Sequence, residues 1–265
     1  MQRRHFLTSS LAAAAAAITP AGSPAQTAAP KGREYYELRK YQLRSGPQGK
    51  LLQSYLADAL VPALNRLGFS PIGVFNLDIG PELPATYVLI PSTTLESLVT
   101  TELQLAKDEE FMKVAAPFWN APAAAPAFDR IESSLLIAFE GWPRLVVPPV
   151  TAQHGKRVFQ LRVYESPSQQ DYARKVEMFH SGEFEIFQRS GFWQVFFGTA
   201  LMAPNLPQTT YMVSFPDISE MNAKWDAFFS DPQWKKLVAS PRFSFESIVN
   251  NVTSLILKPA SFSQI

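Results

Sequence analysis

The chain contains no cysteine at all, which excludes disulfides, thiolate nucleophiles and every cysteine-ligated zinc or iron–sulfur site. Histidine is scarce as well: His5, His154 and His180 are the only three, too few and too far apart for a multi-histidine metal centre. No glycine-rich phosphate loop is present, since Gly182 and Gly198 stand singly, and no serine sits in a Gly-x-Ser-x-Gly elbow. Neither sign of charge is in excess: 24 basic against 23 acidic residues give a formal net charge of +1. No basic footprint for nucleic acid or an acidic membrane is therefore visible. What the chain does have is 265 residues, 46% of them hydrophobic and 20 of them phenylalanine, enough to bury a sizeable core.

The first 25 residues read as an address. Arg3-Arg4-His5-Phe6-Leu7 is a twin-arginine pair before an apolar stretch, which runs from Leu7 through Ala12–Ala17 to Ile18. Pro20 and small residues follow, with Ser23-Pro24-Ala25 as a cleavage site. This order is that of a secretory signal, and the arginine pair, Arg3 and Arg4, resembles the Tat class. The expectation is cleavage after residue 25 and a periplasmic or secreted product. The mature chain would keep 22 basic and 23 acidic residues and no membrane-spanning stretch. Residues 26–33, rich in Ala, Pro, Gly and Thr, read as a disordered tether.

Beyond the tether the sequence repeats itself. Tyr36-Glu-Leu-Arg39-Lys-Tyr41 returns as Phe159-Gln-Leu-Arg162-Val-Tyr164, and Arg66-Leu-Gly68-Phe69 as Arg189-Ser-Gly191-Phe192. Gly80-Pro81-Glu-Leu83-Pro84 returns as Ala203-Pro204-Asn-Leu206-Pro207, and Asp108 with Phe111 as Asp231 with Trp234. Every pair is separated by 123 positions. The chain divides into units at 34–142 and 157–265, joined by a Pro-rich linker at 143–156.

Each unit reads strand, helix, strand, strand, helix, strand. Val158–Tyr164 alternates, Ser166-Pro167 reads as a helix start, and Gly191 as its stop. Val195–Ala200 and Thr210–Phe215 are aromatic and β-branched runs, Asp217-Ile-Ser-Glu220 is a capping box, and Val249–Leu257 closes the unit. In the first unit Pro62 should kink the first helix, and Ala121–Ala127 is an added Ala/Pro stretch. The βαββαβ order predicts an α+β fold of two tandem ferredoxin-like units.

The Glu-Leu-Arg-x-Tyr opening, the helix ending in Gly-Phe, the Gly73-Val74-Phe75…Ile79-Gly80-Pro81 strand and loop, and Asp-Pro-x-Trp together resemble the NIPSNAP family. The likeness covers nearly all of 34–258 and is closest to exported bacterial proteins with two NIPSNAP units. It implies a dimeric α/β barrel, here closed within one chain as a pseudo-dimer. The 14-residue linker, at ~3.3 Å per extended residue, is long enough for that. The family supplies no agreed reaction.

Strand parity then yields the candidate site. Phe159, Leu161 and Val163 are apolar and are expected to meet the helices, which sends Gln160, Arg162 and Tyr164 into the barrel interior. By the repeat, Glu37, Arg39 and Tyr41 join them there. Such a set could bind an anionic or carbonyl ligand, or its members could satisfy one another, for example Glu37 with Arg162. Glu177 and His180 lie three apart on a helix, and without a second such pair they make an exposed face rather than a metal site. Phe184, Phe187, Phe192, Trp193, Phe196 and Phe197 read as packing. The reading that results is an exported protein without cofactor or metal, binding a small molecule or a protein partner. No catalytic residue can be named. A cofactor-independent oxygenase or isomerase, or a pure interaction module, is the alternative, and further homodimerisation stays open.

Overall fold

A computed structural model describes residues 32–44 and 46–265, with the backbone alone at Phe245 and Glu246. The leader at 1–25, with Arg3 and Arg4, and the tether up to residue 31 lie outside the described residues.

Eight strands close into one antiparallel barrel. They are β1 (Tyr35–Gln42), β2 (Gly73–Ile79), β3 (Ala85–Ser92), β4 (Arg130–Ala138), β5 (Val158–Glu165), β6 (Trp193–Met202), β7 (Gln208–Phe215) and β8 (Asn251–Pro259). Round the barrel their order is β1-β3-β2-β8-β5-β7-β6-β4. The half-barrels are thus β4-β1-β3-β2 and β8-β5-β7-β6, the same internal order twice, joined along β2–β8 and β4–β6. Closure leaves no strand edge unpaired.

The helices lie outside. In the first half they are α1 (Gly46–Ser54), α2 (Val61–Arg66), α3 (Leu95–Val99), α4 (Thr101–Leu105) and α5 (Glu109–Trp119). In the second they are α6 (Gln169–Met178), α7 (Phe184–Arg189), α8 (Ile218–Ser230), α9 (Pro232–Val238) and α10 (Phe245–Ile248). A π-helical stretch joins α1 to α2 at Tyr55–Leu60, just before Pro62, and another joins α6 to α7 at Phe179–Glu183.

The local signals account for most boundaries. Gly68 and Gly191 sit past their helix ends at φ 89° and 79°, a conformation only glycine adopts without strain. Asp217 accepts the Glu220 amide at 2.9 Å, and Asp108 and Asp231 cap α5 and α9 in the same way. One start moves: the α6 cap is Ser168, not Ser166, because its hydroxyl accepts the Asp171 amide at 3.1 Å. The final strand likewise runs Asn251–Pro259, two residues later than the pattern suggests.

Three apolar clusters form the core. One lies between the first half-barrel and its helices, one between the second and its helices, and the third lies inside the lumen. The lumen holds Tyr36, Leu38, Phe75, Phe159, Leu161 and Phe196, with Tyr36 on Phe196 and Phe75 on Phe159 at 5.1 and 4.7 Å between ring centroids. Phe187, Phe192 and Phe197 pack under the second helical layer as expected.

The lumen corrects the face assignment. Phe159 and Leu161 point inward, so Gln160, Arg162 and Tyr164, with Glu37, Arg39 and Tyr41, lie on the outer face beneath the helices. The reason is steric and electrostatic. An eight-stranded lumen is just wide enough to be filled by side chains. Apolar groups fill it without needing partners, whereas a guanidinium sealed there would need several acceptors.

Candidate functional site

On the outer face of β1 and β4 the first helical layer stands away from the sheet and leaves a cavity of about 450 Å³. Its polar wall comes from the sheet. Glu37, Arg39 and Tyr41 alternate with inward residues along β1, and Ser133 of β4 lies opposite Arg39. The apolar wall comes from the helices and the loop before β4: Tyr55 from the π-helical stretch, Phe118 and Trp119 from the end of α5, and Phe128. Tyr55 and Phe118 stack at 4.0 Å with their planes 6° apart, and Phe128 stacks on Phe118 at 5.6 Å.

Arg39 organises the polar wall. Its Nε and Nη2 donate to the two oxygens of Glu37 at 2.9 and 3.1 Å, a forked pair. Nη1 donates to the Tyr41 hydroxyl at 3.2 Å and lies 2.7 Å from Glu102 of α4. Ser133 donates to Glu37 as well, at 2.8 Å. Burial alone would lower the Arg39 pKa, but Tyr41, Glu37 and Glu102 outweigh it and hold the guanidinium well above its ordinary value. Burial raises both Tyr41 and Tyr55, so the two phenols stay neutral.

The arrangement changes which ligand fits. Two carboxylates surround one cation, and an anionic ligand would have to displace Glu102. A neutral polar group that donates a hydrogen bond, set on a flat apolar body, meets acceptors at the polar wall and rings at the other. Glu102 is the exposed member of the cluster: its side chain is half exposed, on a helix of five residues.

The second half closes the equivalent space. Arg162 donates to the Tyr164 hydroxyl at 3.0 Å and lies over Trp225, with 4.8 Å between its guanidinium carbon and the ring centroid. The Trp225 indole donates to Gln160 at 2.7 Å, and Tyr164 and Tyr211 share a hydrogen bond of 2.8 Å. Beneath them Lys175 and Glu183 form a buried ion pair at 2.8 Å. Burial raises the Glu183 pKa even though Lys175 and Arg162 pull it down.

The six residues singled out by the repeat thus form two separate clusters, one beside a cavity and one packed solid. Glu37 pairs with Arg39 on its own strand rather than with Arg162. Tyr55, Glu102, Phe118, Trp119 and Phe128 escape strand parity because they come from elsewhere in the chain. One signal does point to Glu102: it lies 123 positions before Trp225, so the repeat pairs a carboxylate against one arginine with an indole against the other.

Neither remaining histidine joins a site. His154 is exposed in the linker. His180 accepts the Gly141 amide at Nε2 and lies 2.8 Å from the Val176 carbonyl through Nδ1, which occupies both ring nitrogens. Glu177 is held by Arg242 instead. Among the described residues no group of three or more Asp, Glu or His side chains is placed to hold a metal ion. No described helix is long and apolar enough to cross a membrane.

Residues 159–264 match the family model NIPSNAP. No curated protein sequence matches the chain. Among solved structures, a candidate monooxygenase from Fusobacterium nucleatum is 8% identical, with a TM-score of 0.54 over 86% of this chain and 93% of that one. Another, from Lactobacillus acidophilus, is 10% identical, with a TM-score of 0.55 over 86% and 94%. An anthrone oxidase-like protein is 15% identical, with a TM-score of 0.52 over 87% and 92%. At such identities the likeness is one of fold, and it extends across the whole barrel.

Proposed function

We propose that this chain, a NIPSNAP-family protein by its residues 159–264, binds a flat, largely apolar small molecule with a hydrogen-bond-donating end. The ligand lies in the helix-side cavity of the first half, its polar end at Glu102, Tyr41 and Arg39 and its body against Phe118, Trp119 and Phe128. One observation carries the reading. The strand order is the same in both half-barrels, and the first keeps a cavity beside Arg39, while in the second Trp225 covers Arg162. A cavity retained beside a buried charged cluster in one copy alone is not a by-product of the fold.

The repeated strand order supports the finer architecture of two ferredoxin-like units paired as a pseudo-dimer. In that arrangement the second unit acts mainly as scaffold. The leader supports export, which would load the cavity outside the cytoplasm.

Native mass spectrometry of the protein isolated from its own host tests the proposal. A co-purifying small molecule, lost in the cavity-filling variant Ser133→Leu, is the expected result. Its retention in that variant overturns the assignment. Conversion of the released molecule by the pure protein in air would favour the oxygenase reading instead, in the same cavity.

A further inference from the structure

The lumen is filled at one end and hollow at the other. Towards the β2–β3 and β6–β7 loops the apolar layers stop, leaving a cup of about 310 Å³ inside the barrel, on the opposite face of the sheet from the first cavity. Its floor is Leu38, Leu77, Leu161, Val163 and Leu255. Its rim is strongly acidic. Lys40 is matched twice over, by Glu82 at 2.6 Å and Glu132 at 2.8 Å. Arg130 reaches Glu132 only at 3.7 Å, from an exposed position. Glu165 has no cation: its Oε1 accepts neutral amide donors from Asn251 at 2.8 Å and Asn205 at 3.3 Å. Its Oε2 has no donor among the described residues. Three carboxylates therefore face one ammonium.

Tyr87 supplies an independent indication. It is 6% exposed and lines the cup, yet its hydroxyl has no hydrogen-bond partner among the described residues. The hydroxyl is the part of this residue that opens onto the cup, where a ligand atom can pair with it. Burial, and then Glu82 and Glu132, raise its pKa and keep the phenol neutral.

We infer that the barrel mouth is a second binding site, for an amphipathic amine whose apolar chain enters the lumen and whose ammonium sits between Glu165 and the Tyr87 hydroxyl. A carboxylate of the same length would meet a net negative rim whose only lysine is already paired. An alcohol would fill the floor and satisfy Tyr87 but leave Glu165 unmatched. This site is independent of the helix-side cavity.

Calorimetric titration of the chain from residue 26 with octylamine, octanol and octanoate at neutral pH tests the inference. Octylammonium should bind at least about tenfold tighter than octanol, and octanoate should not bind. Glu165→Gln should remove that advantage and leave octanol unchanged. The lumen-filling Val163→Phe, checked for an unchanged fold by circular dichroism, should abolish binding of both. Absence of octylammonium binding, equal affinity for amine and alcohol, or an affinity indifferent to Glu165→Gln would overturn the proposal. So would loss of amine binding in Ser133→Leu, which fills the other cavity and leaves this one intact.

Discussion

The Trp225 ring centroid lies 4.8 Å from the Arg162 guanidinium carbon, while Glu102, 123 positions earlier, reaches Arg39 at the edge of an open cavity. The exchange of an indole for a carboxylate is what distinguishes a packed copy of the fold from a hollow one. Trp225→Ala should therefore create a second cavity and destabilise the protein by about 3–5 kcal/mol, the range for aromatic truncation in a core. Denaturant unfolding measures the loss. A change below 1 kcal/mol would mean that the indole is not packing material.

Arg39 is expected to matter for stability through Glu37. Removing one partner of a buried pair leaves an uncompensated charge, so Arg39→Met should cost about 3–5 kcal/mol. Adding Glu37→Met should restore most of it, because an apolar pair of similar volume needs no partner. A double variant no more stable than the single one would contradict the pairing.

Acid should unfold the protein partly through the two helix-capping aspartates. The Phe111 amide and Arg66 hold Asp108 below the usual carboxylate range. At Asp231 desolvation acts upward as the largest single influence, but the Gln233 and Trp234 amides and Arg189 together outweigh it and lower the pKa. A depressed folded-state pKa adds stability that is present above the unfolded value near 4 and is lost as pH falls through the folded value. Asp108→Asn and Asp231→Asn keep a capping side chain and lose the charge. Each should melt lower than wild type at pH 7, with the difference shrinking below pH 4. A gap constant with pH would contradict this linkage.

The leader proposal makes its own forecast. The soluble exported form should begin near Gln26, by intact mass, and changing Arg3 and Arg4 together to lysine should block export. Normal export of that variant would assign the general secretory route.

Much of this fold is legible in the residues themselves. Gly191 and Asp217 mark their helix ends by backbone and side-chain chemistry that acts within a few positions, and the 123-residue register agrees with the strand order common to both half-barrels. Parity separates Arg39 and Tyr41 from Leu38 and Lys40 with equal clarity. What it cannot supply is which set faces inward, because both faces of β1 are buried and alternation has no sign. Pocket walls such as Tyr55, Phe118 and Phe128 lie 13 to 86 residues beyond the end of β1 in sequence and meet it only through helix packing. The barrel-mouth cup is hidden for the same reason: Tyr87 of β3 and Glu165 of β5 come to line one cavity only when the barrel closes.

The central claim is that the helix-side cavity of the first half takes a flat ligand and its copy does not. The chain holds five tryptophans, one at each position 119, 142, 193, 225 and 234, so each indole N–H gives its own signal in a nitrogen-15 correlation spectrum. Titration with 2-naphthol, a flat apolar probe with one hydroxyl donor, should move the Trp119 signal saturably and leave Trp225 in place. A stationary Trp119, or a Trp225 signal that moves with it, would contradict the account.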